Sequence, residues 1–363
     1  MNWLSTYMIH HANNIRPKRD GLKVGGHQAS SASLVTVLTA LYTKVLRPQD
    51  RVAVKPHAGP VYHAIQYMFG NQTLEQLEKF RALGGIQSYP SRTKDYCEID
   101  LSTGSVGLGA TMTTFLAHVE AFLRGKDMNP PAFPGTTEAP ELPARTIGIV
   151  GDAELDEGSV FEGLLESWKL DIRNNWYIVD YNRQSLDKIM EEKSFRLIDR
   201  LFRMNGFDVI SVKYGKRQQE IFQSARGGKT LRRYLNECDN ATYVYIYCLC
   251  VCVSLSLSQQ QQQQQQQHKH RYSALTFSAG SAFRKDITTW SQILPADEKA
   301  DLNSLLNSMN DAALHEVMTD LGGHCFETVL NAFEQASQSD RRTAFLMYTI
   351  KGTFILVDFS LIL

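Results

Sequence analysis

Asp152 and Asn182 stand thirty positions apart, each just past a short apolar run, Ile147–Val150 and Trp176–Val179. A carboxylate, an amide oxygen and a nearby backbone carbonyl are hard ligands, suited to Mg2+ shared with phosphate oxygens and not to Zn2+. The loop after the first run, Gly151-Asp152-Ala153-Glu154, would also point backbone N–H groups and a helix N-terminus at a bound phosphate. The same residues admit a plainer reading, in which a strand-end Asp caps the next helix and the Asn forms a turn. Spacing alone leaves both open.

These side chains need elements that bring them to one place. Ile147–Val150 has the character of a buried parallel strand ended by Gly151. Val160, Phe161, Leu164, Leu165 and Trp168 then recur at helical spacing and form one apolar face, with Asp156 and Glu157 ahead of it where acids suit a helix N-terminus. Trp176–Val179 is the second strand. Such a βαβ unit makes the strands parallel and puts their carboxyl ends on one edge, the ligand-binding edge of an open α/β sheet. The expected fold class is therefore α/β, an open and mostly parallel sheet with helices on both faces. Upstream, Gly25-Gly26-His27 precedes a helical stripe of Leu34, Val37, Leu38, Leu41 and Val45. His57 lies in KPHAGPVYHAIQY, and STGSVGLG at 102–109 has the form of a tight strand-to-helix turn. On residue type alone the two histidines are ordinary hydrogen-bonded or exposed side chains, and a lone glycine pattern is weak.

Composition sets wider bounds. The 363 residues suggest two domains or one large one, at about 150 residues per domain. Hydrophobic content of 43% is enough for a core and excludes global disorder. With 38 basic and 38 acidic side chains, the balance argues against a protein built around a nucleic-acid-binding face. Six cysteines in a chain of this length do not make a disulfide scaffold. Cys97, Cys238 and Cys325 are scattered, whereas Cys248, Cys250 and Cys252 alternate within an uncharged apolar stretch, 241–258, that runs into Gln259–Gln267. This stretch falls short of the ~20 apolar residues that span a bilayer, so no membrane segment is expected. Its Cys-x-Cys-x-Cys spacing is not the Cys-x-x-Cys of zinc sites. Residues 241–270 are expected to be a low-complexity, disordered insertion that carries three of the six cysteines. No Arg-rich or signal-type leader is visible at the start, and the compartment stays open between cytoplasm and mitochondrial matrix.

The segment 145–187 resembles the signature of thiamine-diphosphate-dependent enzymes of the transketolase-like superfamily, Gly-Asp-Gly followed by Asn at a similar separation. The resemblance implies that Asp152, Asn182 and the carbonyl of Gln184 hold Mg2+, which anchors the diphosphate beside Gly151, Ala153 and Glu154. Ala153 replaces the third glycine of the pattern, keeping an N–H toward the diphosphate but losing access to positive φ. Lys188 stands where a glycine usually follows Leu-Asp. Gly25-Gly26-His27 and His57 resemble segments that bring two catalytic histidines to the active site. Gly104, Ser105, Val106 and Gly107 resemble the loop whose backbone meets the aminopyrimidine ring.

Ser88-Tyr89-Pro90, the Asn-x-Gln-x-Leu-Asp run at 182–187, Gly322-Gly323-His324 and Thr349-Ile350-Lys351-Gly352 are similar to the homodimeric pyruvate dehydrogenase decarboxylating component. Lys351 is then a candidate for approach to the diphosphate; the alternative is a solvated strand-end lysine. The implied layout is a thiamine-diphosphate-binding domain over 1–240 and 271–352, interrupted by the insertion, with an atypical tail at 353–363. Complete relatives add a pyrimidine domain, normally from a partner subunit, whose glutamate activates the cofactor; the resemblance stops before such a domain. The expectation is the diphosphate-binding half of a 2-oxo acid dehydrogenase. This enzyme would work as a homodimer joined through the cofactor site, decarboxylate a 2-oxo acid and transfer the acyl group, with an acyltransferase as possible partner. Two alternatives are a transketolase moving a two-carbon ketol unit between sugar phosphates, and a non-catalytic fragment or paralogue acting through subunit contacts.

Overall fold

The computed structural model describes residues 1–17, 20–128, 143–185, 188–189, 194–224, 226–243 and 280–351. Its strands in chain order are β1 (Arg51–Ala53), β2 (Thr146–Gly151), β3 (Asn175–Tyr181), β4 (Gln184–Ser185), β5 (Lys188–Ile189), β6 (Asp208–Val212) and β7 (Thr343–Tyr348). Five of them form one sheet in the order β1-β2-β3-β7-β6, with every neighbouring pair parallel. β4 and β5 make a small antiparallel hairpin just past β3.

Both faces of the sheet are covered, as expected for strands that are apolar at every position. Ile147, Ile149, Trp176, Ile178, Phe345 and Met347 point to one side, against Leu34, Val37, Leu38, Val61, Ile65, Val329 and Phe333. These partners come from the helices Val35–Ala40, Gly59–Met68 and Phe326–Ser337, with Leu34 just ahead of the first. Val150, Tyr177, Val179 and Leu346 point to the other side, against Ala110, Val160, Leu164 and Phe202. Burial on this scale stabilises by about 1.5–3 kcal/mol per large side chain. The helix Leu108–Gly125 closes onto β2 over Gly148, where a Cβ would come within 2.9 Å of Thr113 Oγ1.

The helix Gly158–Lys169 differs from expectation in one respect. Val160 and Leu164 enter the core, but Phe161, Leu165 and Trp168 are exposed. The apolar positions form two adjoining stripes, of which the fold buries one.

Between β6 and β7 the chain builds a helical lobe with its own core, including Phe222, Leu231, Tyr234, Phe283, Ile287, Leu302, Leu314 and Met318. Tyr243 belongs to this lobe: it is buried and its hydroxyl donates to Met318 O at 2.6 Å. Packed structure therefore continues at least to Tyr243, past the expected start of the insertion. Residues 244–270, the tail 353–363 and Gly352 lie outside the described residues, as do Leu186 and Asp187 of the Asn-x-Gln-x-Leu-Asp run. Because β7 lies between β3 and β6, residues after 271 complete the same sheet that residues before 240 begin. Among the described residues, no helix is long and apolar enough to cross a membrane.

Candidate functional site

All five strands of the sheet are parallel, so the residues that follow them share one edge. β1 leads to Lys55 and His57, β2 to Asp152, β3 to Asn182, and β7 to Thr349 and Lys351.

Asp180, near the end of β3, is fully buried. Its carboxylate takes hydrogen bonds from Lys55 Nζ, Thr349 Oγ1, Ser33 Oγ at 2.8 Å and Asn182 Nδ2 at 3.2 Å. Burial alone would push this carboxyl up, but the Lys55 ammonium and the Thr349 and Ser33 hydroxyls outweigh it and hold it below the ordinary range. The amide of Asn182 is thereby fixed: Nδ2 faces Asp180 and Oδ1 accepts from the N–H of Gln184 at 3.1 Å.

Asp152 is equally buried but differently served. Oδ1 accepts from the N–H of Ala153 at 3.0 Å and Oδ2 from the N–H of Arg183 at 2.8 Å. It therefore caps no long helix; it ties the loop after β2 to the turn after β3. Burial, then the charge of Asp180, pushes its carboxyl up to about 7. The N–H of Ala153, expected to face a diphosphate, is directed to Asp152 Oδ1 instead. Ala153 lies in the 3-10 turn Asp152–Asp156 and is not among the residues with positive φ, so alanine fits here without strain.

Lys351 is neither simply solvated nor free of the loop: Nζ donates to the carbonyl of Gln184 at 3.0 Å. The third expected metal ligand thus already carries a cation. Asp152, Asn182 and Gln184 present hard oxygens within one short stretch of the sheet edge, and a buried carboxylate beside a second one calls for a positive charge. This donor set fits Mg2+. Among the described residues there is no group of three His, Cys, Asp or Glu placed to hold a metal.

The glycine-rich loop is anchored at both ends. Thr103 Oγ1 donates to Val54 O at 2.6 Å, and the N–H of Gly107 donates to Glu154 Oε1 at 3.3 Å. Glu154 also accepts from the N–H of Gly151 at 2.7 Å, so one carboxylate spans the two expected cofactor loops, and burial pushes it up. Gly107 has φ +80°, and a Cβ there would lie 2.7 Å from Glu157 Cβ; only glycine starts the helix Leu108–Gly125 in this way. Gly104, Ser105 and Val106 between the anchors are exposed, with Gly104 near the ring of Tyr89.

His27 and His57 stack with ring centroids 4.0 Å apart, and Tyr89 lies 6.1 Å from His57. Gly59 permits this by close approach, since a Cβ would sit 2.5 Å from Ser88 O. Burial lowers both histidines, and His27, Lys55, Lys351 and Arg81 lower His57 further, to about 4. Near pH 7 both rings are therefore neutral and can each accept or donate a hydrogen bond. Gly322-Gly323-His324 has a structural role: His324 Nε2 accepts from the N–H of Ile350 at 2.9 Å, and a Cβ on Gly323 would meet Tyr348 O at 2.6 Å. The turn fixes the course of Thr349–Lys351.

Sequence reasoning missed Lys55, Asp180, Ser33 and Arg81. The signals were faint but present: a lysine straight after an apolar strand, and a single acid inside an otherwise apolar one. Arg81, held by Val24 O and with φ +58°, contributes positive potential at both histidines and carried no such signal.

Residues 23–233 match the family model for the transketolase thiamine diphosphate binding domain. The pyruvate dehydrogenase E1 component of Corynebacterium glutamicum is 24% identical, over 97% of this chain and 34% of that protein. A 6-deoxy-6-sulfo-D-fructose transketolase subunit from a Clostridium species is also 24% identical, over 56% of this chain and 72% of its own length. A solved transketolase from Pichia stipitis overlaps 59% of this chain and 30% of its own, with 22% identity and a TM-score of 0.47. The chain spans about a third or less of the length of the pyruvate dehydrogenase relatives.

Proposed function

Because this chain belongs to the transketolase-type thiamine diphosphate-binding family, we propose that it forms the diphosphate-binding part of an Mg2+-dependent 2-oxo acid dehydrogenase of the pyruvate dehydrogenase type. The observation that supports the proposal is the tie between Asp152 and the turn that carries Asn182 and Gln184, through the N–H of Arg183, beside the loop held by Glu154. Asp152, Asn182 and the Gln184 carbonyl would hold the metal, and Lys351, whose Nζ lies on that carbonyl, would add positive charge toward the diphosphate. Gly104–Gly107 offers backbone to the aminopyrimidine. Bound thiamine diphosphate supplies an electron sink at a carbonyl carbon. The neutral His27 and His57 would exchange a proton with the substrate, while Arg81 adds positive potential beside both rings.

A homodimer belongs to the same proposal. Val106, Leu108, Phe115, Val119 and Phe122 are exposed from the glycine-rich loop along its helix, beside exposed Phe161, Leu165 and Trp168. An apolar face continuous with the cofactor loop suits a second copy that completes the site. An acyltransferase would then receive the acyl group. A ketol-transferring reading has its own support in the sulfosugar transketolase subunit, most of whose length this chain covers. A non-catalytic part acting through subunit contacts is the third reading.

Thiamine diphosphate with Mg2+ should raise the melting temperature of the chain, and Asp152→Ala should abolish that rise. At a hundredfold excess over Kd the stabilisation is about 2.7 kcal/mol. No shift, or a shift unchanged in the variant, overturns the assignment. Turnover of 2-oxo acids against ketose phosphates separates the two catalytic readings, and turnover of either overturns the third.

A further inference from the structure

Beyond the metal loop, on the stretch of sheet edge formed by β3, β7 and β6, lies a group of cations that the proposed chemistry does not use. Arg183 follows Asn182, Lys213 follows β6, and Tyr348 ends β7 between them. Arg183 is 8% exposed and has φ +65°. Its guanidinium faces the Tyr243 ring at 4.3 Å, and Nε and Nη2 are buried without a hydrogen-bond partner. Lys213 Nζ lies 5.3 Å from the ring of Tyr214, 5.5 Å from Tyr348 and 5.8 Å from Phe195. Arg232, exposed on the helix Gly228–Glu237, places its guanidinium 5.4 Å from the same Tyr214 ring.

Among the described residues none of the three cations has an ion-pair partner; Lys213 Nζ donates only to the neutral Asn236 Oδ1, at 2.5 Å. The neighbouring acids are engaged elsewhere: Asp199 with Arg203 at 3.0 Å, Asp320 with the N–H groups of Arg217 and Gln218, and Asp239 with that of Thr242. Residues 244–279, which follow Tyr243, contain no Asp or Glu. Burial, then Arg183 and Arg232, lowers Lys213 to about 8, the response expected of cations gathered without an anion. A buried guanidinium with orphaned nitrogens is destabilising unless an oxyanion takes them.

We propose that Arg183, Lys213 and Arg232 form a binding site for a small phosphate-type dianion, distinct from the diphosphate position at Gly151–Glu154. Two guanidinium forks and one ammonium match several oxygens and two negative charges; a lone carboxylate would leave most of the positive charge unbalanced. Aromatic walls on Lys213 and Arg183 limit hydration, and the rise in exposure from Arg183 through Lys213 to Arg232 gives the site a floor and a mouth.

The test is a titration of the full chain with inorganic phosphate against chloride at constant ionic strength, read as melting temperature, with and without Mg2+ and thiamine diphosphate. The expected result is a saturable rise of about 2–4 °C that persists when the cofactor is present. Lys213→Gln and Arg232→Gln should each weaken phosphate binding about tenfold, with Lys213→Arg retaining it and the cofactor-dependent shift unchanged in all three. No saturable shift overturns the proposal, as does a shift that Lys213→Gln and Arg232→Gln both leave intact. A shift lost on adding cofactor would place the phosphate in the diphosphate groove and also overturn it. So would phosphate binding that appears only after Asp187→Asn, Glu191→Gln and Glu192→Gln are combined, since a carboxylate of the chain itself would then be the counter-charge. Failure of the cofactor to bind is read in a separate arm and leaves this outcome distinct.

Discussion

Asp180 and Asp152 end neighbouring strands that run in register, Gly151 opposite Asp180, and both are shut away from water. The chain has dealt with them in opposite ways. Asp180 receives an ammonium, two hydroxyls and an amide, and is held ionised. Asp152 receives two backbone N–H groups only, and its carboxyl is driven up to about 7. A buried carboxylate completed from within the chain is framework. One left with amide donors alone, beside a second carboxylate, lacks an internal counter-charge, and under the proposed function the metal would supply it. The difference also explains the Asn182 amide, whose Nδ2 Asp180 holds so that Oδ1 faces the N–H of Gln184.

The sharpest way to break this contrast is to remove Lys55. Lys55→Met leaves Asp180 charged and unpaired in the interior, and stability should fall by about 3–5 kcal/mol, read by urea denaturation. Lys55→Met combined with Asp180→Leu should recover most of that loss, because a buried pair replaced by apolar side chains is often neutral or better. A loss below about 1 kcal/mol in the single variant would show that the hydroxyls of Thr349 and Ser33 suffice. The framework reading of Asp180 would then fail.

The positive side of the site sharpens the contrast through pH. His57 is lowered from 6.5 to about 4 by burial first, and then by His27, Lys55, Lys351 and Arg81. The unfolded chain therefore binds a proton at this position between pH 6.5 and 4 that the folded chain refuses, so stability falls as pH is lowered through that window. Melting temperature should drop between pH 6.5 and 4, and the drop should be smaller in His57→Gln. Equal slopes in both proteins would mean that the ring is protonated within the fold, and that the cations around it do not act as described.

Much of this architecture was legible in the sequence because it rests on apolar periodicity. Ile147–Val150 and Trp176–Val179 read as strands since nearly every side chain is apolar, and both faces are in fact covered. The positions of Asp152 and Asn182 followed from where those strands end, whereas Gln184 came only from the family resemblance. What periodicity could not show was partnership at long range. Lys55 and Asp180 lie 125 positions apart, and nothing local in either segment announces the other. The same limit applies to Phe161, Leu165 and Trp168: spacing identifies an apolar stripe but not which half of it the rest of the fold will cover. Arg183, read only as the variable residue inside a motif, takes its importance from Lys213 and Tyr243, which are distant in the chain.

The smallest effect concerns the loop after β2 itself. Ala153 departs from the glycine of the family pattern, and a requirement for positive φ at this point would make it a strained residue. Instead it sits in a 3-10 turn with its N–H on Asp152 Oδ1, a conformation alanine adopts freely. Ala153→Gly should therefore release no strain. It should lower stability by about 0.4–1 kcal/mol through the added freedom of the unfolded chain. The affinity for Mg2+ with thiamine diphosphate, measured by calorimetry, should stay within about twofold of the parent, because the ligand oxygens and their donors are untouched. A marked gain in affinity would show that the bound loop visits a backbone conformation that alanine resists. The end of β2 would then differ from the end of β3 in mobility as well as charge, with Asp180 held in one arrangement and Asp152 moving to meet its cation.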